Sequence, residues 1–132
     1  MPSIFTKIVE GTIPCYKIAE NEYCMAFLDI MPLKEGHTLS IIKTEIDYLF
    51  DVNDDLYQEL MSFTKKVAIG LKAAIPCNRI GVAVVGLEVP HCHIHLIPIY
   101  TMDDMNFAHP KLKPTQDELA LTAQKIRDKI VL

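Results

Sequence analysis

The sequence predicts an α+β domain, and three observations carry that reading. Five short runs rich in β-branched and apolar residues are separated by turn residues, as strands are. Two of them, 79–85 and the histidine-rich run that follows, are joined so closely that they must be antiparallel neighbours. One long stretch after Asn53 repeats apolar residues every three or four positions, the period of a helix lying on a sheet.

In chain order, Ser3 can cap a short helix with Ile4, Phe5 and Ile8 on one side and Gly11 just past its end. Residues 15–19 and 23–28 read as two strands around a turn at Asn21 and Glu22. Asp29 follows the second strand, at a position where a carboxylate often just opens a solvated turn. Pro32 and Gly36 punctuate a loop, and 37–42 alternates as a third strand. His37 shares a strand face with Leu39 and Ile41, so its ring needs a partner, either backbone or another imidazole.

Asn53 opens the longest helix, with Asp54 and Asp55 in its first turn, where the helix dipole favours negative charge. Leu56, Leu60, Phe63, Val67, Leu71 and Ala74 line one face, and Pro76 stops the helix. The run 79–85 is nearly all apolar, which predicts a strand covered on both faces, and Gly86 is expected to turn it into the histidine strand. Residues 101–114, with Pro110 and Pro114, read as irregular. Thr115 to Glu118 form a capping-box pattern, and Leu119, Ala123, Ile126 and Ile130 make the stripe of a terminal helix.

The chemistry concentrates in 90–98, Pro-His-Cys-His-Ile-His-Leu-Ile-Pro. On a strand, His91, His93 and His95 would project from one face and Cys92 from the other. Imidazole is costly to bury without partners and titrates near neutrality. Such a row can be a catalytic constellation, a set of satisfied core residues, or a three-histidine metal site. A third ligand from i+4 would require the strand to curl.

Composition excludes several classes. The net charge of −4 offers no basic field for a nucleic acid polymer. The four cysteines have neither CxxC nor disulfide-scaffold spacing. The N-terminus lacks a signal-peptide pattern and no apolar run is long enough to span a membrane, so a cytoplasmic, reduced protein is expected.

The motif His-x-His-x-His followed by apolar residues resembles the signature of the histidine-triad (HIT) nucleotide hydrolases and transferases. Ile4-Phe5-Thr6-Lys7-Ile8, Gly11-Thr12-Ile13-Pro14, Ala26-Phe27-Leu28-Asp29-Ile30 and Gly36-His37-Thr38-Leu39 resemble further family segments in family order, and the Hint branch is most similar. The resemblance implies a five-stranded antiparallel sheet with a long helix and a terminal helix. It implies a HIT domain over 1–100, with 101–132 as an extension belonging to the same single domain, and a homodimer. The implied activity is hydrolysis of purine nucleoside 5′-phosphoramidates, AMP or GMP conjugates, or of dinucleoside polyphosphates in a sister branch; a nucleotide-binding protein that has lost turnover is the alternative suggested by the missing Asn before the turn. No cofactor and no metal is implied.

By the same resemblance, His93 is the nucleophile, His91 and His37 brace it, and His95 faces the phosphate oxygens and passes a proton to the leaving group. Asp29 would hold the ribose. Phe5, Ile8, Phe27, Leu28 and Ile30 would form the slot for the base, and Gly86, Leu87 and Glu88 would offer backbone N–H groups to the phosphate. The chain departs from the pattern in five ways. It has no Asn within 83–85, a shortened turn before Pro90, Leu87 where Gln is common, Glu88 where eukaryotic members often have Ser and bacterial-type members can have Glu, and no CxxC between Ser3 and Thr6, where some bacterial members bind structural zinc.

Overall fold

The computed structural model describes Met1 to Leu132. Five strands, β1 (Lys17–Glu20), β2 (Cys24–Leu28), β3 (Thr38–Ile42), β4 (Arg79–Ala83) and β5 (His93–Ile99), form one sheet in the order β1-β2-β3-β5-β4. Every neighbouring pair is antiparallel. Three helices accompany it: α1 (Ile4–Glu10), α2 (Asp54–Ala74) and α3 (Gln116–Arg127).

Local chemistry sets the helix ends. The side chain of Ser3 accepts the N–H of Thr6, and Gly11 closes α1 with a left-handed φ of 84°, which a residue with a Cβ rarely adopts. Asn53 caps α2 by accepting the N–H of Leu56. At its far end Ile75 is extended, as the residue before a proline tends to be. Thr115 and Glu118 make the reciprocal capping box at α3.

Helix α2 covers one face of the sheet. Leu60, Phe63, Val67 and Leu71 meet Cys24, Ala26, Leu28, Ile42, Cys92, Ile94 and Leu96 in the main apolar core. The terminal helix adds Leu119, Ala123 and Ile126 to this core, so its apolar stripe docks on its own chain. The opposite face carries a smaller cluster of Phe5, Met25, Phe27, Leu39 and Ile41, closed at one end by α1.

Three expectations are corrected. The run 79–85 is not covered on both faces: Ile80 packs against the core under α2, but β4 is an edge strand with no further strand beyond it, and Val82 is 56% exposed. Gly86 does not turn β4 directly into β5; residues 84–92 form a longer connection that contains Gly86 at φ 78°. Ile4 lies outside the buried stripe of α1, at 48% exposure, because a two-turn helix on a sheet rim buries only Phe5. Within the irregular stretch 101–114, Met102–Met105 form a 3-10 turn.

Candidate active site

Strand β5 separates its side chains by face. Cys92, Ile94 and Leu96 enter the core under α2. His93 and His95 occupy the other face, and the register sets them across from Ile41 and Leu39 of β3. His91 lies just before the strand begins, and its ring is fully buried beside Phe5, with ring centroids 5.9 Å apart.

The hydrogen bonds determine which nitrogen of each ring carries a proton, since a carbonyl can only accept. His91 donates from Nε2 to the carbonyl of Ile42 at 2.7 Å, so its Nδ1 accepts, 2.9 Å from the Ser3 hydroxyl. His93 donates from Nδ1 to the carbonyl of His91 at 2.7 Å, which leaves the lone pair on Nε2. The N–H of Leu33 donates to Nδ1 of His37 at 3.0 Å, so neutral His37 carries its proton on Nε2. That proton goes to Nδ1 of His95 at 2.9 Å, and His95 is left with an N–H at Nε2. Two separate relays result: Ser3–His91–His93, and Leu33–His37–His95.

The brace predicted for His93 is therefore divided. His91 supports it through a backbone carbonyl rather than its ring, and His37 supports His95. Burial holds both rings of the second relay neutral. The pKa of His37 is lowered to about 3, by burial first and then by the charges of His95, Lys111 and His93. That of His95 is lowered to about 4, by burial and then by His93 and Lys111. Burial likewise lowers His91. Asp29 is shifted up, chiefly by burial, although its carboxylate accepts the N–H of Met31 at 2.9 Å.

A cavity of about 380 Å³ opens beside the rings, lined by Asp29, His37, Val85, Gly86, Leu87, Glu88, His93, His95, Phe107 and Lys111. The N–H groups of Gly86, Leu87 and Glu88 make no hydrogen bond to the protein's backbone.

These features coincide with a recognisable sequence family. The family model of the HIT domain matches residues 10–102. The chain belongs to the HIT family. The adenosine 5′-monophosphoramidase of Schizosaccharomyces pombe is 32% identical over 133 residues, covering 98% of this chain and 99% of that protein. The adenosine 5′-monophosphoramidase of Saccharomyces cerevisiae is 38% identical over 96 residues, 72% of this chain and 61% of that protein. Both relatives put the chain on the Hint-like side of the family. Among solved structures, a Hit-like protein involved in cell-cycle regulation from Bartonella henselae superposes with a TM-score of 0.84 at 28% identity, covering 97% of this chain and 96% of that one. The α+β fold with its five-stranded antiparallel sheet is that of the HIT family.

On this HIT scaffold the residues expected to bind nucleotide fall in four places. Asp29, Gly86, Leu87 and Glu88 line the cavity with His93 and His95. Phe5 and Phe27 pack edge to face beneath His93, with Phe5 5.0 Å from its ring and 5.5 Å from Phe27, and Ile8 sits at the margin of that cluster. Leu28 is the correction: strand alternation sends it into the core under α2, so it shares no slot with Phe27. Ile30 is 61% exposed in the turn beyond β2.

The cavity also contains residues that sequence reasoning missed. Phe107 packs its ring 4.9 Å from that of His95 and 6.4 Å from that of His37, and Lys111 lies beside it. Both come from the stretch read only as irregular, and nothing in their local pattern announces them. Ser3, expected only as a cap, reaches His91 as well. The fifth histidine, His109, is away from the row and pairs with Asp103 at 2.7 Å.

As metal ligands, the three histidines of the motif do not converge: both nitrogens of His91 and Nδ1 of His93 are already engaged. A different trio, Asp29, His37 and His95, brings ligand atoms within 4.8 Å of one another. A cation there would have to displace the hydrogen bond between the two imidazoles. No helix of the chain is long and apolar enough to cross a membrane.

Proposed function

We propose that this protein is a nucleotide hydrolase that cleaves purine nucleoside 5′-phosphoramidates, AMP or GMP conjugates, through a nucleotidyl-histidine intermediate on His93. The observation that carries the reading is the bond from Nδ1 of His93 to the carbonyl of His91, which keeps the Nε2 lone pair available at the edge of the cavity. The named activity of the two yeast relatives supports the substrate class.

In this reading Nε2 of His93 attacks the α-phosphorus and the bond to the leaving amine breaks. His95 points an N–H at the reacting group. Neutral His95 serves as a hydrogen-bond donor; negative charge on bound substrate raises its pKa and lets it arrive protonated and hand that proton to the departing nitrogen. Water then displaces the imidazole, releasing nucleoside monophosphate and restoring His93. Two displacements replace one difficult step. The free N–H groups of Gly86, Leu87 and Glu88 stabilise charge on the phosphoryl oxygens. Asp29 accepts hydrogen bonds from the ribose hydroxyls, and Phe5, Ile8 and Phe27, with Ile30 at the rim, take the base.

No metal is assigned a step, and turnover that persists in EDTA is the check on that. The exposed Val82 of β4 and Ile69 of α2 support a homodimer across this edge, to be checked by sedimentation.

The deciding experiment is mass spectrometry of enzyme quenched during turnover of AMP-phosphoramidate. An adenylyl adduct on the peptide containing His93 supports the reading. Product formation with no adduct at any quench time removes the covalent step. Diadenosine tetraphosphate as competing substrate distinguishes the sister activity.

A further inference from the structure

Resting on that reading, the cavity holds a group whose role neither the histidine motif nor the fold accounts for. Lys111 is the only lysine or arginine among the residues lining it. Its Nζ donates to the carbonyl of Phe107 at 2.7 Å and sits 5.8 Å from the centre of that ring. A second, longer contact runs from Nζ to the carbonyl of His109 at 3.5 Å, and no carboxylate pairs with it, so the ammonium keeps one donor to spare in a half-buried position.

The chain around Lys111 is pinned rather than loose. The N–H of the next residue, Leu112, donates to the carbonyl of Pro32 at 2.8 Å, in the loop that follows Asp29. Upstream, Asp104 bonds Lys34 of the same loop at 3.1 Å and accepts the N–H groups of Tyr100 and Thr101. Phe107 meanwhile rests its ring on His95. The segment after β5 is thus clamped at both ends over the second relay, and the clamp delivers one cation to the rim of a site that must accept an anion.

We infer that Lys111 is a phosphate-binding residue, supplying a standing cationic contact to the nucleotide's phosphate oxygens where His37 and His95 are held neutral until an anion binds. A half-buried ammonium beside a phosphate makes a charge-assisted bond and is a point charge rather than a fork, so arginine can replace it in part. Glu88, lining the same cavity, opposes it and gives an internal control of opposite sign.

The test measures binding of AMP and of adenosine by titration calorimetry to the full chain, as wild type, Lys111→Met, Lys111→Arg and Glu88→Gln. Lys111→Met is expected to weaken AMP by about tenfold, the lower end for a charge-assisted hydrogen bond, and to leave adenosine within about twofold. Lys111→Arg recovers most of the loss, and Glu88→Gln tightens AMP. AMP affinity unchanged in Lys111→Met, or AMP and adenosine weakened in parallel, overturns the assignment; the parallel loss would mean that Lys111 merely holds the Phe107 turn. Wild-type protein that binds AMP no better than adenosine would instead undercut the nucleotide hydrolase reading itself.

Discussion

The two faces of the sheet are built on different physics. Under α2 the sheet buries Leu60, Phe63, Val67 and Leu71 against Ile42, Ile94 and Leu96, and what matters there is volume. On the other face a small apolar cluster supports rings whose role depends on direction: each imidazole nitrogen is either a donor or an acceptor, and the carbonyls of Ile42 and His91 and the N–H of Leu33 decide which. The volume-filled face can lose a side chain and keep the chemistry. The directional face can keep its stability and lose the chemistry. Substitutions that separate these outcomes test the contrast.

The largest expected effect is His93→Ala. Turnover of AMP-phosphoramidate should fall by at least about 10³-fold, as losing a nucleophile does elsewhere, while AMP still binds and the thermal midpoint stays close to wild type. Single-turnover kinetics and calorimetry measure the pair. A variant that keeps wild-type turnover breaks the contrast outright. On the opposite face, Phe63→Ala should cost about 3–5 kcal/mol of unfolding free energy through cavity formation. The protein that remains folded should keep kcat within about twofold. A large kcat loss would mean that the two faces are coupled.

Acid should act on the directional face. His37 and His95 are neutral in the fold, with pKa values lowered to about 3 and about 4, whereas an unfolded histidine protonates near 6.5. The unfolded chain therefore binds more protons throughout that interval. Their contribution is fully present above about pH 6.5 and is lost as pH falls, toward about 4 for His95 and about 3 for His37, on the order of 1 kcal/mol per pH unit for each ring. Urea titrations from pH 7 to 4.5 measure the slope. His37→Asn should flatten it by roughly one ring's share. An unchanged slope would show that the buried rings are not what acid attacks.

The same contrast explains which features the sequence made legible. Periodicity reports volume, so α2, its Asn53 cap, the Thr115 capping box and the strand order around the motif could be read directly. Alternation also contained the correct face for Leu28, adjacent to Phe27 on the same strand and therefore opposite to it. Direction is not periodic. The proton on His93 is set by a carbonyl two residues away, the proton on His95 by an amide of Leu33, and the ring of His91 by a hydroxyl 88 residues earlier. Phe107 and Lys111 arrive through an irregular segment tied down by Lys34 and Pro32, contacts with no local signature. The exposure of β4 followed from its place at the sheet edge, which its composition does not encode.

The smallest effect is also the sharpest, because one residue serves both kinds of physics. Ser3 caps α1 by accepting the N–H of Thr6, and its hydroxyl meets Nδ1 of His91, whose carbonyl in turn orients His93. Ser3→Ala removes both and should cost about 1 kcal/mol of stability, the usual worth of a cap. Ser3→Gly restores most of the cap, since glycine serves there at only a few tenths of a kcal/mol below serine, but it has no hydroxyl for His91. If the His91 bond positions the nucleophile, the two variants should lose kcat together, severalfold with KM little changed, while only Ser3→Ala loses stability. Ser3→Thr, which keeps both functions, should behave as wild type. Should Ser3→Gly recover kcat along with stability, the serine is a cap alone, and the orientation of His93 depends on the Ile42 carbonyl at the other end of the His91 ring.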